Sequence, residues 1–266
     1  MRFAVVVHPT RQIALDAVAT LSEHAARHGI EVIEDPDMAT MGGIDILIAV
    51  GGDGTMLDAA RRARPNGTPV IGVNAGTLGF LTEVVPSAVA ELVDRLAAGD
   101  YTVVEHMTLR GVLPGGDTID ALNDIVTEKA VSERVVGLSL RVGGAAVADY
   151  RADGIIISSP TGSSAYSFSA GGPLVDPSLD AIVVTPVAAH DLFARPLVLA
   201  PDGLLEVTVT GDREAIVHAD GQPHGPVRPG ETVAVSRGPY RDRIIRFGTG
   251  GFAGTVRGAV GRRNAR

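Results

Sequence analysis

Hydrophobic positions along the chain fall into two regimes. In the first hundred residues, short unbroken apolar runs alternate with stretches of helical spacing. Arg2–Val7 reads as a buried strand, and Arg11–His28 carries Ile13, Val18, Leu21 and Ala25 at helical intervals before Gly29 closes it. Glu31–Ile33 and Asp45–Val50 are strand-like, the second stopping at Gly51-Gly52. Thr55–Arg64 predicts a helix ended by Pro65, Pro69–Val73 a buried strand, and Ser87–Ala98 a helix between Pro86 and Gly99. This alternation predicts a parallel α/β domain over residues 1–100. Beyond Tyr101 helical spacing nearly vanishes, and short β runs are broken by hairpin-type turns at Pro114-Gly115-Gly116-Asp117, Gly143-Gly144, Pro201-Asp202-Gly203 and Asp220-Gly221. Residues 101–245 are therefore expected to form a β-rich, sandwich-like domain. The stretch 246–266 is expected to return to the first domain, with Arg262-Arg263-Asn264-Ala265-Arg266 as a frayed basic tail.

Composition narrows the function classes. The chain has 266 residues, 45% hydrophobic and 20% charged, enough for one large domain or two modest ones. Without cysteine there are no disulfides, thiolate metal sites or cysteine nucleophile, in keeping with a reducing compartment. A net charge of −8 argues against general affinity for nucleic acid or an anionic membrane. The first apolar run ends at His8-Pro9, too short for a signal peptide, and no later run reaches the length of a membrane span, so a cytoplasmic location is expected. Lys129, the only lysine, follows Thr127-Glu128 rather than a glycine-rich loop, which excludes a Walker-type site. His24 and His28, one helical turn apart on a polar face, read as solvated rather than as a metal pair.

Gly51-Gly52-Asp53-Gly54-Thr55 lies between a predicted buried strand and a predicted helix, where an α/β sheet places its ligand loop. Glycines let the backbone approach a phosphate, and the start of the helix favours an anion. Asp53 would repel that phosphate unless it serves as a magnesium partner, a hydroxyl acceptor or a general base. The plainer alternative is a tight turn in which Asp53 merely caps the helix. A second loop, Asn74-Ala75-Gly76-Thr77-Leu78-Gly79-Phe80-Leu81, follows another strand of the same layer and should open at the same edge. In it, Asn74 suits an adenine edge or a ribose hydroxyl, while Leu78, Phe80 and Leu81 are explained by packing.

A third segment, Asp153-Gly154-Ile155-Ile156-Ile157-Ser158-Ser159-Pro160-Thr161-Gly162-Ser163-Ser164-Ala165-Tyr166-Ser167, completes a set with those two loops, Asn123-Asp124 and Asp220-Gly221-Gln222. Together they closely resemble the NAD kinase family, over Val5 to Gly221 and in the family's order. The resemblance implies transfer of a terminal phosphoryl group from ATP or polyphosphate, with Mg²⁺, to the 2′-hydroxyl of the adenosine ribose of NAD. It makes Asp53 the catalytic base and Gly51, Gly52, Gly54 and Thr55 the phosphate loop. It implies NAD contacts from Asp53, Gly54, Asn74, Phe80, Asn123, Asp124, Thr161, Ser164, Ala165, Tyr166 and Ser169. Arg134, Arg151, Asp153, Ala188 and Gln222 match further binding positions, and the metal is expected to arrive with the nucleotide rather than on protein ligands. A homo-oligomer, a tetramer or dimer built through the β domain, is also implied. Asp58 stands where some bacterial members carry arginine, which leaves the phosphoryl donor open.

Plainer readings stand beside these: Asn123-Asp124 as a turn, Tyr166 as a core aromatic, Arg151 with Asp153 as a solvated pair. The competing functions are a diacylglycerol-type lipid kinase, which shares the glycine-aspartate loop, and a non-catalytic NAD(P)-binding sensor.

Overall fold

The computed structural model describes residues 1–37, 41–76, 79–190, 194–248 and 251–263. The chain divides into two compact units, one of Met1–Glu105 with Asp242–Arg266, the other of His106–Arg241. Leu78 and Thr77 of the second loop, and Asn264, Ala265 and Arg266 of the expected tail, lie outside the described residues.

The first unit opens with β1 (Arg2–Val7), α1 (Gln12–Arg27), β2 (Glu31–Glu34), β3 (Ile46–Gly51), α2 (Asp53–Ala63), β4 (Val70–Asn74) and α3 (Val89–Ala98). The strands are parallel in the order β2-β1-β3-β4. Every residue of β3 and β4 is buried. Burial on both faces is why these segments read as continuous apolar runs rather than as alternation. Helix α1 buries Ala14, Ala17, Val18, Leu21 and Ala25. Ile13, expected in that stripe, is 51% exposed. The helix turns its small residues inward, and a position one step before Ala14 is carried about 100° around the axis into solvent.

The chain enters the second unit along β5 (Thr102–Val112). There follow β6 (Thr118–Ala121), β7 (Asp124–Lys129), β8 (Val136–Val142), β9 (Ala145–Ala152), β10 (Gly154–Ser158), the one-turn α4 (Tyr166–Ser169), β11 (Ile182–Val187), β12 (Leu197–Leu199), β13 (Leu205–Thr210), β14 (Ala215–Ala219) and β15 (Gln222–Val227). One antiparallel sheet runs β12-β11-β10-β7-β14-β15. A second contains β9, β8 and β13, paired to the first part of β16 (Thr232–Arg246). Alternate residues of both sheets, among them Leu138, Leu140, Ile155, Ile157, Val184, Val207 and Val217, form one apolar core. This is the inward alternation of a sandwich. Gly143 and Gly144, at φ 56° and 80°, make the two-residue β8–β9 turn that needs left-handed backbone at both positions. Pro201-Asp202-Gly203 departs from expectation: it joins β12 to β13, which belong to different sheets, so it is a crossover and not a hairpin.

The far end of β16 belongs to the first unit, where Ile244 pairs in parallel with Val70 of β4. Asp242 there accepts two hydrogen bonds from Arg64, Nε at 2.9 Å and Nη2 at 2.8 Å, with both side chains at 5% exposure or less. Removing either partner would strand a buried charge at a cost of about 3–5 kcal/mol. Helix α5 (Gly251–Arg263) follows, and none of its residues from Gly251 to Arg257 is buried. Among the described residues no helix is long and apolar enough to cross a membrane.

Candidate active site

In the first unit, the glycine-rich loop ends β3 and starts α2. Gly52 is the N-cap and Asp53 already lies in the first turn, so the helix starts two residues earlier than expected. Asp53 makes no capping bond; its carboxylate reaches the second loop, accepting the Phe80 N–H at Oδ2 (3.2 Å) and the Leu81 N–H at Oδ1 (3.3 Å). The capping alternative therefore fails, because the side chain points away from its own helix.

The glycines differ in what demands them. A Cβ on Gly51 would fall 2.1 Å from Thr55 Oγ1, and one on Gly79 would fall 2.1 Å from Asp53 Oδ2. Both are required by close packing. A Cβ on Gly52 or Gly54 would meet nothing within 4 Å, and neither has positive φ. Nothing within the fold calls for glycine there, and the space over both is open to close approach by a ligand. The N–H groups of that first helical turn have no intrahelical acceptors and so remain donors for an anion.

Asn74 ends β4, 4% exposed, and its amide oxygen is taken by the Gly76 N–H at 2.8 Å. The acceptor that the sequence offered to a ligand is thus engaged internally. Leu81 is buried and Phe80 half-buried. Asp58 is neutralised within its own helix by Arg61 and by Arg62 at 2.8 Å. His28 is exposed, as expected of a solvated histidine, and pairs at the surface with Asp94 at 2.8 Å.

In the second unit, Asn123 precedes β7, Asp124 opens it, and both are held by Asp220. The Asp220 carboxylate accepts N–H groups from Leu122 (2.8 Å), Asn123 (2.7 Å) and Asp124 (3.3 Å). Gly162 closes on the same turn, where a Cβ would sit 2.0 Å from the Asn123 carbonyl oxygen, and Ser159 N–H donates to that oxygen at 2.9 Å. The Asn123 side-chain Oδ1 is buried and makes no hydrogen bond. Burial, and then the neighbouring charge of Asp220, push the Asp124 carboxyl up to about 7.

Thr161, buried, shares a 2.8 Å hydrogen bond with His106 Nδ1. Ser158, Ser159 and Ser163 are fully buried, and the hydroxyls of Ser159 and Ser163 donate to backbone carbonyls, an arrangement without a free nucleophile. Ser164 and Ala165 are half-buried, and Ser169 is exposed. Tyr166 is 41% exposed and so is no core aromatic. Its hydroxyl is pushed up by partial burial and then by the charges of Glu128, Asp153 and Asp124. Asp153 pairs with Lys129 Nζ at 2.6 Å. Arg151, Ala188, Arg134 and Gln222 are exposed, Ala188 at φ 45° just beyond β11.

Sequence reasoning gave no role to Asp220, Glu128, Lys129 or Arg246. The signal for the first lay in its own motif, and for Lys129 in its being the chain's single lysine. Among the described residues no three acidic or histidine side chains converge as a metal site.

Family comparison decides what these loops belong to. Residues 36–101 match the ATP-NAD kinase N-terminal domain and residues 122–247 the ATP-NAD kinase C-terminal domain. The chain belongs to the NAD kinase family. It is 43% identical to the NAD kinase of Symbiobacterium thermophilum over 84% of this chain and 81% of that one. With the NAD kinase of Cutibacterium acnes it shares 39% identity over 92% and 85%. In three dimensions it resembles an Archaeoglobus fulgidus NAD kinase solved in complex with ATP, at a TM-score of 0.80 and 28% identity, covering 97% and 99% of the two chains. The fold also matches yeast NADH kinase complexed with NADH, at a TM-score of 0.85 and 21% identity over 98% and 88%. As a NAD kinase family member the protein is an enzyme of the kinase class.

Proposed function

We propose that this enzyme phosphorylates the 2′-hydroxyl of the adenosine ribose of NAD, with ATP as donor, to give NADP and ADP. Asp53 accepts the hydroxyl proton as the ribose oxygen bonds to the terminal phosphorus and the bond from that phosphorus to the ADP oxygen breaks. The proton is later released to solvent. First-turn N–H groups of α2 and the open space over Gly52 and Gly54 receive the phosphates.

Asn123 and Asp124 hold the dinucleotide through hydroxyl or amide hydrogen bonds, Tyr166 offers its exposed ring for stacking, and Thr161, Ser164, Ala165 and Ser169 line the same turn. Phe80 and Asn74 border the adenosine. Arg151, Asp153, Arg134, Ala188 and Gln222 complete the contacts at its periphery. Mg²⁺ is carried by the donor's phosphates and neutralises their charge. Polyphosphate is a second donor of the same chemistry. The enzyme works in the cytoplasm as a homo-oligomer assembled through its β-rich unit.

The observation that carries this reading is the pairing of Asp53 with two glycines that the fold itself does not require. Purified protein is incubated with NAD, Mg²⁺ and either ATP or polyphosphate, and NADP is read with an NADP-specific dehydrogenase. The expected result is NADP from the wild type and a loss of about 10²–10⁴-fold in kcat for Asp53→Asn, with NAD affinity within threefold. An Asp53→Asn enzyme of undiminished kcat removes the base. No NADP with either donor removes the reaction.

A further inference from the structure

Arg246 is the last residue of β16 and has no counterpart among the residues assigned above. Its side chain is only 23% exposed, and its Nη1 donates to the Leu81 carbonyl oxygen at 3.3 Å. Leu81 is also the residue whose N–H reaches Asp53 Oδ1. One peptide unit either side of a single Cα thus connects guanidinium to carboxylate. Glu83 is nearby, its Oε2 3.8 Å from Arg246 Nη1, buried and without a hydrogen bond. Glu83 Oε1 is occupied by the N–H groups of Phe247 (3.2 Å) and Gly248 (2.8 Å). Glu83 therefore anchors the backbone that follows Arg246 and leaves the guanidinium aimed at the Asp53 loop. Burial lowers the Arg246 pKa, while Glu83 and then Asp53 act on it across space in the opposite sense.

We propose that Arg246 is a positioning residue for phosphoryl transfer: it fixes the Leu81 peptide that holds Asp53 and keeps positive charge beside the reacting oxygens. A cation held there favours the transition state, in which charge is redistributed over the transferring phosphoryl group, more than it favours bound substrate. This rests on Asp53 as the base.

Three substitutions test it. Arg246→Met removes donor and charge and is expected to lower kcat at least 30-fold, with KM for NAD and ATP within threefold. Arg246→Gln keeps a donor for Leu81 and loses the charge; a tenfold loss of kcat is expected. Arg246→Lys, which keeps the charge on a single-point donor, is expected to recover kcat to within tenfold of wild type. Thermal unfolding is followed in parallel, and if Arg246→Met does not fold, the Gln and Lys variants decide. The proposal is overturned if Arg246→Gln keeps kcat within threefold, or if folded Arg246→Lys is no better than Arg246→Gln. Asp53→Asn measured alongside separates the two ideas, since a fully active Asp53→Asn enzyme removes the base itself, whereas an inactive one with unaffected Arg246 variants removes only the arginine's role.

Discussion

Each unit presents one aspartate at the start of an element, Asp53 on α2 and Asp124 on β7, and the two are held in opposite ways. Asp53 sits in a helix's first turn and accepts two backbone N–H groups from a neighbouring loop, with a guanidinium acting on it across space. Asp124 begins a buried strand, where the turn's N–H groups go to Asp220, and that second carboxylate opposes its charge. One acid is surrounded by donors, the other by burial and repulsion. Under the proposed function the same side chain is thereby suited to two jobs, taking a proton at a fixed place and waiting for donors that a polar ligand brings.

The largest effect that could break this contrast comes from Asp220→Ala. It leaves the Leu122, Asn123 and Asp124 N–H groups without their acceptor, each costing about 1–3 kcal/mol if not rehydrated. Calorimetry should show Tm falling by more than about 5 °C, and steady-state kinetics should show KM for NAD rising at least tenfold. An unchanged Tm and KM would mean that the turn is held by something else. A smaller effect sharpens the first unit's half: Gly54→Ala should leave Tm within about 1 °C while raising KM for ATP three- to tenfold, because the added methyl meets no protein atom within 4 Å. Loss of stability there would show that the open space matters to folding rather than to a ligand.

The effect most confined to one pH range concerns Asp124. With its carboxyl raised to about 7, the ligand-free fold retains a proton that the unfolded chain, with a carboxyl near 4, has already released. Stability from this group is therefore present at acid pH and lost as pH rises from about 4 through 7. Asp124→Asn should raise the ligand-free Tm by several degrees, up to about 10 °C, at pH 8 and by far less at pH 4.5. A difference independent of pH would remove desolvation and repulsion as the cause.

Much of the architecture was legible because strand and helix periods write themselves directly into apolar spacing. The runs Arg2–Val7 and Asp45–Val50 could hardly be anything but covered strands, and the Gly143-Gly144 and Asp220-Gly221 turns announced their hairpins. The helix stripe was misjudged at Ile13 because alanines hold the buried positions, and small residues carry little signal. Within the site, sequence singled out the residues that stand in motifs. It missed contacts made at a distance along the chain: Arg246 is 165 positions from Leu81, and Asp220, read only as part of a turn motif, is 98 from Leu122. The Asp153–Lys129 pair was likewise hidden, since local order suggested Arg151 as the partner. Spacing reports what an element does for itself, and says little about which remote side chain completes a loop.

The first unit is discontinuous, and its closing piece begins at Asp242. During synthesis the whole of the second unit leaves the ribosome before the first unit can finish. Strand β4 must wait for Ile244, buried Arg64 for Asp242, and the Asp53 loop for Arg246. A nascent chain stopped short of residue 242 therefore carries the complete glycine loop and its Phe80 and Leu81 contacts but not Asp242, Ile244 or Arg246, and the first unit is completed only once the segment from Asp242 onward has emerged.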